Sequence, residues 1–292
     1  MNQEALIEDI VRKILSETVN SKNSHKKNSD ENTVNSGNDR IIPDISKLSG
    51  EAELFVPNPH DPEMLLKMKK ATPARIGVYR AGSRYKTKTL LKFRSDHAVS
   101  MDAVFNEVSE DFLKKLHLET VVTKCSDKNE YLTRPDLGKV FDDAETAKIR
   151  SIVGVSPNVL IYASDGLSST AVEDNLENIL PVILEGVKLA GLTVSTPFFV
   201  KHGRVPAMDA IGEITGADVV CTLIGERPGL VTAGSMSAYM AYKPTVGMPE
   251  ARRSVISNIH KDGLPPAEAG AHIAELLVKM FKNKASGLDL RL

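Results

Sequence analysis

Tryptophan is absent from the 292 residues and aromatic side chains make up only 5% of them, which argues against a stacking platform for nucleic-acid bases. Cysteine is almost as scarce. The two thiols, Cys125 and Cys221, are too few to staple a secreted fold of this size and lack C-x-x-C spacing. The chain therefore reads as cytoplasmic, with both thiols reduced and no structural zinc ribbon. No apolar run approaches the roughly 20 residues that a membrane span needs. Glu4, Glu8 and Asp9 interrupt what would be the apolar core of a signal peptide. An excess of one charge sign is missing too: 37 basic residues stand against 38 acidic ones, so the overall balance favours neither nucleic acid nor an anionic membrane as a partner. Nucleotide and nucleophile fingerprints are also missing. There is no G-x-G-x-x-G after a strand, no Walker loop, no G-x-S-x-G elbow and no H-E-x-x-H, which leaves a stand-alone dehydrogenase, kinase or esterase unsupported.

What is present, at 41% hydrophobic and 26% charged, is enough for one large or two modest cores. The chain divides unevenly. In residues 1–19, Leu6, Ile10 and Ile14 form one helical row and Ile7, Val11 and Leu15 its neighbour, with Glu4, Glu8, Arg12 and Lys13 on the other face. From Asn20 to Asp39 only Val34 is apolar amid Asn, Ser and Lys, too little to offset the entropy of ordering. The helix is thus expected to hang on a tether. Three fates are open to it: folding back on its own domain, lying on a membrane surface, or docking as a peptide in a groove of another protein. The flexible linker and a Pro-rich connector together fill residues 20–72.

Residues 73–155 read as mainly helical and open on an unusual segment. Arg75, Arg80, Arg84, Lys86, Lys88, Lys92 and Arg94 occur there without one acid. Ala81-Gly82-Ser83 is able to present backbone N–H groups to an anion, and Leu90-Leu91 to anchor a contact. A solvated face, an acidic partner surface and phosphate groups all fit this pattern. A helix is expected from Asp96 to Val108 with Ser95 as its cap, and another from Ser109, whose Glu110 and Asp111 suit the positive end of the dipole.

From residue 156 to 292 strands alternate with helices. Val159–Ala163, Leu192–Val200, Val219–Ile224, Ser237–Tyr242 and Val255–Ile259 are short apolar runs, and the intervening helices carry one apolar face each. The expected fold is α/β, a doubly wound Rossmann-like and mostly parallel sheet, preceded by a helical region and the tethered N-terminal amphipathic helix. Thr170 and Glu173 are expected to form a capping box on the longest helix, and Gly191 and Gly216 to close helices. Ligands of such a sheet bind outside the carboxyl ends of the strands, which gathers Ser164–Ser169, Lys201–Pro206 and Gly225–Gly229.

On those loops Glu226 is the main candidate for a specific polar role, with an ion pair to Arg227 as the bland alternative. Asp165 serves either a ligand or its own turn. His202 and His97 have no partner near in sequence and default to solvated or satisfied side chains. Asn258-Ile-His-Lys-Asp-Gly263 has the spacing of D-x-H-x-x-G, in which a histidine becomes the lower ligand of cobalamin, but has Asn in place of the Asp. A metal-bound imidazole normally leans on a carboxylate, so His260 is read as part of a structural loop, and no metal ligand or catalytic residue is assigned.

Longer phrases carry a resemblance. Arg80-Ala-Gly-Ser-Arg-Tyr85, Leu90-Leu-Lys-Phe-Arg-Ser-Asp-His-Ala98, Tyr131-Leu-Thr-Arg-Pro-Asp-Leu-Gly138, Ser164-Asp-Gly-Leu-Ser168, Thr196-Pro-Phe-Phe-Val200, Ile224-Gly-Glu-Arg-Pro-Gly-Leu230, Ile256-Ser-Asn-Ile-His260 and Lys284-Ala-Ser-Gly287 follow one another in the order found in small (light) subunits of ethanolamine ammonia-lyase. From about Arg75 onward the chain resembles that family.

The resemblance implies a non-catalytic subunit of an adenosylcobalamin-dependent lyase that converts ethanolamine to acetaldehyde and ammonia. It implies assembly with a large catalytic subunit into a hetero-oligomer, the small subunit covering the base-on cofactor, and an isolated chain without activity. Cofactor-contacting positions carry over to Val205, Glu226 and Val255. Relatives often have Cys where this chain has Val255, so a contact there is van der Waals or through the backbone. The tethered helix resembles the peptides that direct ethanolamine-utilisation enzymes to the shell or cargo of a bacterial microcompartment, which would place the protein inside one in the cytoplasm. The competing class is an α/β interaction scaffold that docks on a partner without touching a cofactor.

Overall fold

The computed structural model describes residues 54–291. The expected amphipathic helix of residues 1–19 and the linker up to residue 53 lie outside the described residues. Two compact units are present, one formed by residues 54–102 with 229–232 and the other by 103–228 with 233–291.

The smaller unit opens with helix α1 (Pro62–Lys70), whose N-cap Asp61 accepts from the Met64 N–H. Strands β1 (Arg80–Ala81) and β2 (Arg84–Tyr85) pair antiparallel. Gly82 turns the chain between them at φ +63, so Ala81-Gly82-Ser83 is the tip of a hairpin. Helix α2 spans Thr87–Phe105, starting nine residues before the expected Asp96. Ser95 is an interior residue, not a cap. Lys and Arg lose little rotamer freedom in a helix, and the run Lys88–Arg94 propagates it. Within the basic segment, Arg75 and Lys92 both reach Asp96, at 2.8 and 2.7 Å. The Arg80 guanidinium stacks on Tyr85. Arg84 and Arg94 stand exposed, as do Leu90 and Leu91.

The larger unit is built on a mixed six-stranded sheet. Helices α3 (Glu110–Lys115), α4 (Lys128–Thr133) and α5 (Asp143–Val153) are each started by a side-chain cap, from Ser109, Asp127 and Asp142. Strands β3 (Glu119–Val122), β4 (Val159–Ser164), β5 (Phe198–Lys201), β6 (Val219–Gly225), β7 (Met236–Tyr242) and β8 (Ser254–Ile259) lie in the order β3-β5-β4-β6-β7-β8. The first four are parallel, while β7 runs antiparallel to β6 and β8 antiparallel to β7. No helix separates β6 from β7, and a parallel return would require one.

Helix α6 (Ser169–Leu189) and helix α8 (Pro266–Asn283) cover one face, against Val159, Ile161, Ala163, Cys221 and Leu223. Helices α5 and α7 (Ala207–Thr215) cover the other, against Leu160, Tyr162, Phe198, Val200 and Val220. Alternate residues of β4 thus enter opposite cores, and all six are buried. Helix α7 closes at Gly216 in the left-handed region, and α6 is followed by Gly191 at φ +77. The capping box expected at Thr170 and Glu173 does not form. Ser168 caps α6, accepting from the Ala171 N–H, and Glu173 accepts instead from the Ser109 N–H at 2.8 Å. Ser168 has an extended backbone, whereas Thr170 is already helical.

From β4 the chain passes through α6 to β5 on one side, and from β5 through α7 to β6 on the other. A crevice therefore opens between the carboxyl ends of β4 and β6.

Candidate functional site

Three loops meet at that crevice, so closely that glycine is required where they touch. The Leu167 N–H donates to the Gly225 carbonyl. A Cβ on Gly225 would land on the Ser168 carbonyl oxygen, and one on Gly166, held at φ +52, would come to 2.5 Å from the Gly225 carbonyl oxygen. A Cβ on Gly203 would come to 2.5 Å from Ser164 Oγ.

The loop after β5 is pinned at almost every peptide. Asp165 Oδ1 accepts the His202 N–H at 2.8 Å, and Thr123 Oγ1 donates to the His202 carbonyl at 3.0 Å. The Gly203 carbonyl accepts from Tyr131 Oη and Ser164 Oγ. The Arg204 N–H donates to the Gly138 carbonyl at 2.7 Å, and its Nη2 to the Tyr131 carbonyl at 2.6 Å. Burial holds the Tyr131 phenol protonated well above its ordinary range.

Beneath these contacts lies a buried ion pair. Lys128 Nζ sits 3.2 Å from Asp165 Oδ2 and donates to the Gly166 carbonyl at 3.0 Å, with side-chain exposures of 8% and 5% for the pair. Burial raises the Asp165 carboxyl pKa, but the hydrogen bond from His202 and the Lys128 charge outweigh it and hold the group below the usual carboxylate value. Of the two roles open to Asp165, the structure fits the shaping of its own turn. His202 is likewise enclosed, with Nδ1 3.5 Å from Asp165 Oδ2. His97 is exposed on α2.

Glu226 leaves β6 at the rim of the crevice. Its Oε1 accepts from Ser237 Oγ at 2.6 Å and from the Asn258 N–H at 2.9 Å, and its Oε2 from Ser235 Oγ at 2.8 Å. The ion pair with Arg227 is not formed; Arg227 points to an exposed position. A carboxylate has about four acceptor sites, so this one is locked in orientation with about one site left, on Oε2. Glu226 and Val205 line a single pocket of about 210 Å³ with Arg204, Arg227, Tyr131 and Tyr239. Val255 is not among its walls, but it is half exposed on β8 and stands in register with Tyr239 of β7. Two of the three carried-over positions thus share one pocket, and the third is next to it.

The structure adds Arg204, Tyr131 and Tyr239 to the pocket; the first two lie in stretches that the sequence marks, but it attaches no role to any of the three. His260 takes no outward part: Nε2 is 2.9 Å from Asn258 Oδ1, and Nδ1 accepts from the Asp262 N–H. Both ring nitrogens thus face groups of their own turn. Cys125 and Cys221 are free and buried, and burial raises both thiols above the ordinary range, so neither is an activated nucleophile.

A family model described as ethanolamine ammonia-lyase light chain matches residues 62–291. Among known proteins, the ethanolamine ammonia-lyase small subunit of Listeria monocytogenes serovar 1/2a is 60% identical over 250 residues, covering 86% of this chain and 85% of its own length. The protein of that name from Clostridium tetani is 58% identical over 254 residues, with 87% and 86% covered. That from Clostridioides difficile is 54% identical over 254 residues, with 87% of each covered.

Proposed function

The chain belongs to the ethanolamine ammonia-lyase light-chain family, and we propose that, as the small subunit of that lyase, it covers adenosylcobalamin with the carboxyl-end pocket of its sheet while a large subunit carries the reaction. Reading the sheet as doubly wound and Rossmann-like supports this, since helices lie on both of its faces and the chain reverses direction at β4 and β6. The observation that carries the proposal is Glu226, a carboxylate immobilised by three internal donors yet retaining one acceptor site at the pocket wall.

The residues present fit the group. A corrin ring is rimmed by primary amides, whose N–H groups match the spare Glu226 acceptor, and its apolar edge matches Val205 and Tyr239. Val255 would touch it by van der Waals contact. When bound, adenosylcobalamin supplies the radical chemistry from its cobalt–carbon bond. This chain's residues orient the cofactor and exclude water, and none acts as acid, base or nucleophile.

Two measurements test the reading. The purified chain alone is expected to show no ethanolamine deamination, with turnover appearing on addition of the large subunit; robust turnover alone would overturn it. In the reconstituted complex Glu226→Ala is expected to weaken cobalamin binding by about 1.5–3 kcal/mol, the value of a hydrogen bond to a charged group. Unchanged affinity would make Glu226 a purely internal brace of Ser235, Ser237 and Asn258.

The division of labour along the chain belongs to the same proposal. Residues 1–19 target the enzyme to a bacterial microcompartment, 20–72 are linker and connector, 73–155 carry the basic interface segment, and 156–292 contact cobalamin. Support for an interface comes from α2, where Leu90, Leu91, Val99 and Met101 are each more than 40% exposed beside the exposed Arg84 and Arg94. The same face would serve a scaffold that docks without a cofactor, and a cobalamin-bound structure of the complex separates the two. Deleting residues 1–19 should leave deamination intact and abolish co-sedimentation with compartment shells. Lost activity would show instead that the segment is part of the fold.

A further inference from the structure

The pocket holds more positive charge than its own acids use. Arg204 and Arg227 both line it, and among the described residues neither forms an ion pair. Arg204 spends one N–H on the Tyr131 carbonyl and lays its guanidinium 4.2 Å from the Tyr131 ring centroid. Its Nε is buried with no acceptor at all. Arg227 is exposed. The acid on the pocket wall is Glu226, and three of its acceptor sites are already taken by Ser235, Ser237 and Asn258.

A partly enclosed guanidinium without a counter-charge is costly to keep. A planar fork of N–H donors suits an oxyanion with two accessible oxygens better than a single amide carbonyl. Cobalamin carries one permanent anion at its periphery, the phosphodiester of its nucleotide loop, while its side-chain amides are neutral. Building on the cofactor-covering reading, we propose that Arg204, assisted by Arg227, binds that phosphodiester, so that Glu226 and Arg204 grip two chemically different parts of one ligand. Arg204 is thereby a specificity residue for the complete corrinoid.

The test is equilibrium binding, followed by the visible spectrum of the corrinoid, to the reconstituted two-subunit complex. The probes are hydroxocobalamin and cobinamide, which lacks the nucleotide loop and its phosphate. Arg204→Gln and Arg227→Gln are each expected to weaken hydroxocobalamin, Arg204→Gln by about tenfold or more, and to leave cobinamide within about twofold. Arg204→Lys should recover part of the loss, and the hydroxocobalamin affinity of the unmodified complex should fall with salt more steeply than its cobinamide affinity. An equal loss on both probes would overturn the proposal, since it would mean that Arg204 only holds the loop through Tyr131. No loss on either probe would overturn it as well and would point to a carboxylate of the large subunit as the counter-charge. Arg227 is exposed, so its variant remains readable even if Arg204→Gln fails to fold. Failure of the unmodified complex to bind either corrinoid would instead remove the cofactor reading on which the proposal rests.

Discussion

Lys128→Met is expected to destabilise the folded chain by about 3–5 kcal/mol, measured as the midpoint shift in denaturant unfolding. The substitution keeps the stem's volume but strips Asp165 of the cation 3.2 Å away, in a place where the carboxylate retains only 5% exposure. It also leaves the Gly166 carbonyl without its buried donor. Replacing both partners by apolar residues should cost less than removing Lys128 alone, because the penalty lies in the uncompensated charge. The pH dependence has a definite sign. In the folded chain the Asp165 carboxyl is held below its ordinary value, so its contribution is complete above about pH 5 and is lost as pH falls through the folded pKa. In Lys128→Met, burial acts with less opposition. The carboxyl should then titrate higher than it does in the parent, and the variant should gain on the parent as the solution is acidified. A constant stability difference between pH 3 and 6 would show that the variant's loss does not come through the Asp165 charge.

Gly225→Ala is expected to be nearly as severe, at about 3 kcal/mol, together with loss of cobalamin binding by the complex. The added methyl would meet the Ser168 and Asp165 carbonyl oxygens, both backbone, so no flexible side chain can yield. The end of β6 would have to move away from the start of α6, which opens the crevice and carries Glu226 off its position. Gly229→Ala is the natural control. Its added carbon would have no neighbour closer than 3.9 Å, and its stability should stay within about 0.5 kcal/mol of the parent. Equal tolerance of the two would mean that the loops are free to separate.

These two positions also show what was and was not legible from the chain. Local physics was: the all-apolar Val159–Ala163 run reads as a strand buried on both faces, Ser109 and Gly216 as helix ends, and Glu226 as a carboxylate on a strand's rim. Pairings across long sequence separations were not. Lys128 and Asp165 lie 37 residues apart, and no spacing rule links them; Arg204 and Tyr131 are 73 apart. Direction in the sheet was a second gap, since β7 looks like any other apolar strand until the missing helix before it forces an antiparallel return. The third was α2, where a run of cations fitted a solvated face, an acidic partner surface or phosphate groups, and charge, more than helix propensity, dominated the pattern. The family resemblance brought Val205 and Glu226 to the pocket and Val255 beside it, whereas the place of the Arg204 guanidinium on the pocket wall came only from the geometry.

The pinned loop after β5 has a consequence for how a ligand would be received. With His202, Gly203 and Arg204 each tied through main-chain groups to a different neighbour, the segment has little conformational entropy left to lose. The His202 and Arg204 amides should exchange with deuterium as slowly as those of a core strand, although no regular element contains them. Binding at such a surface resembles docking onto a solid wall. Its heat-capacity change should then report buried apolar area alone, with no added contribution from a loop that orders as the ligand arrives.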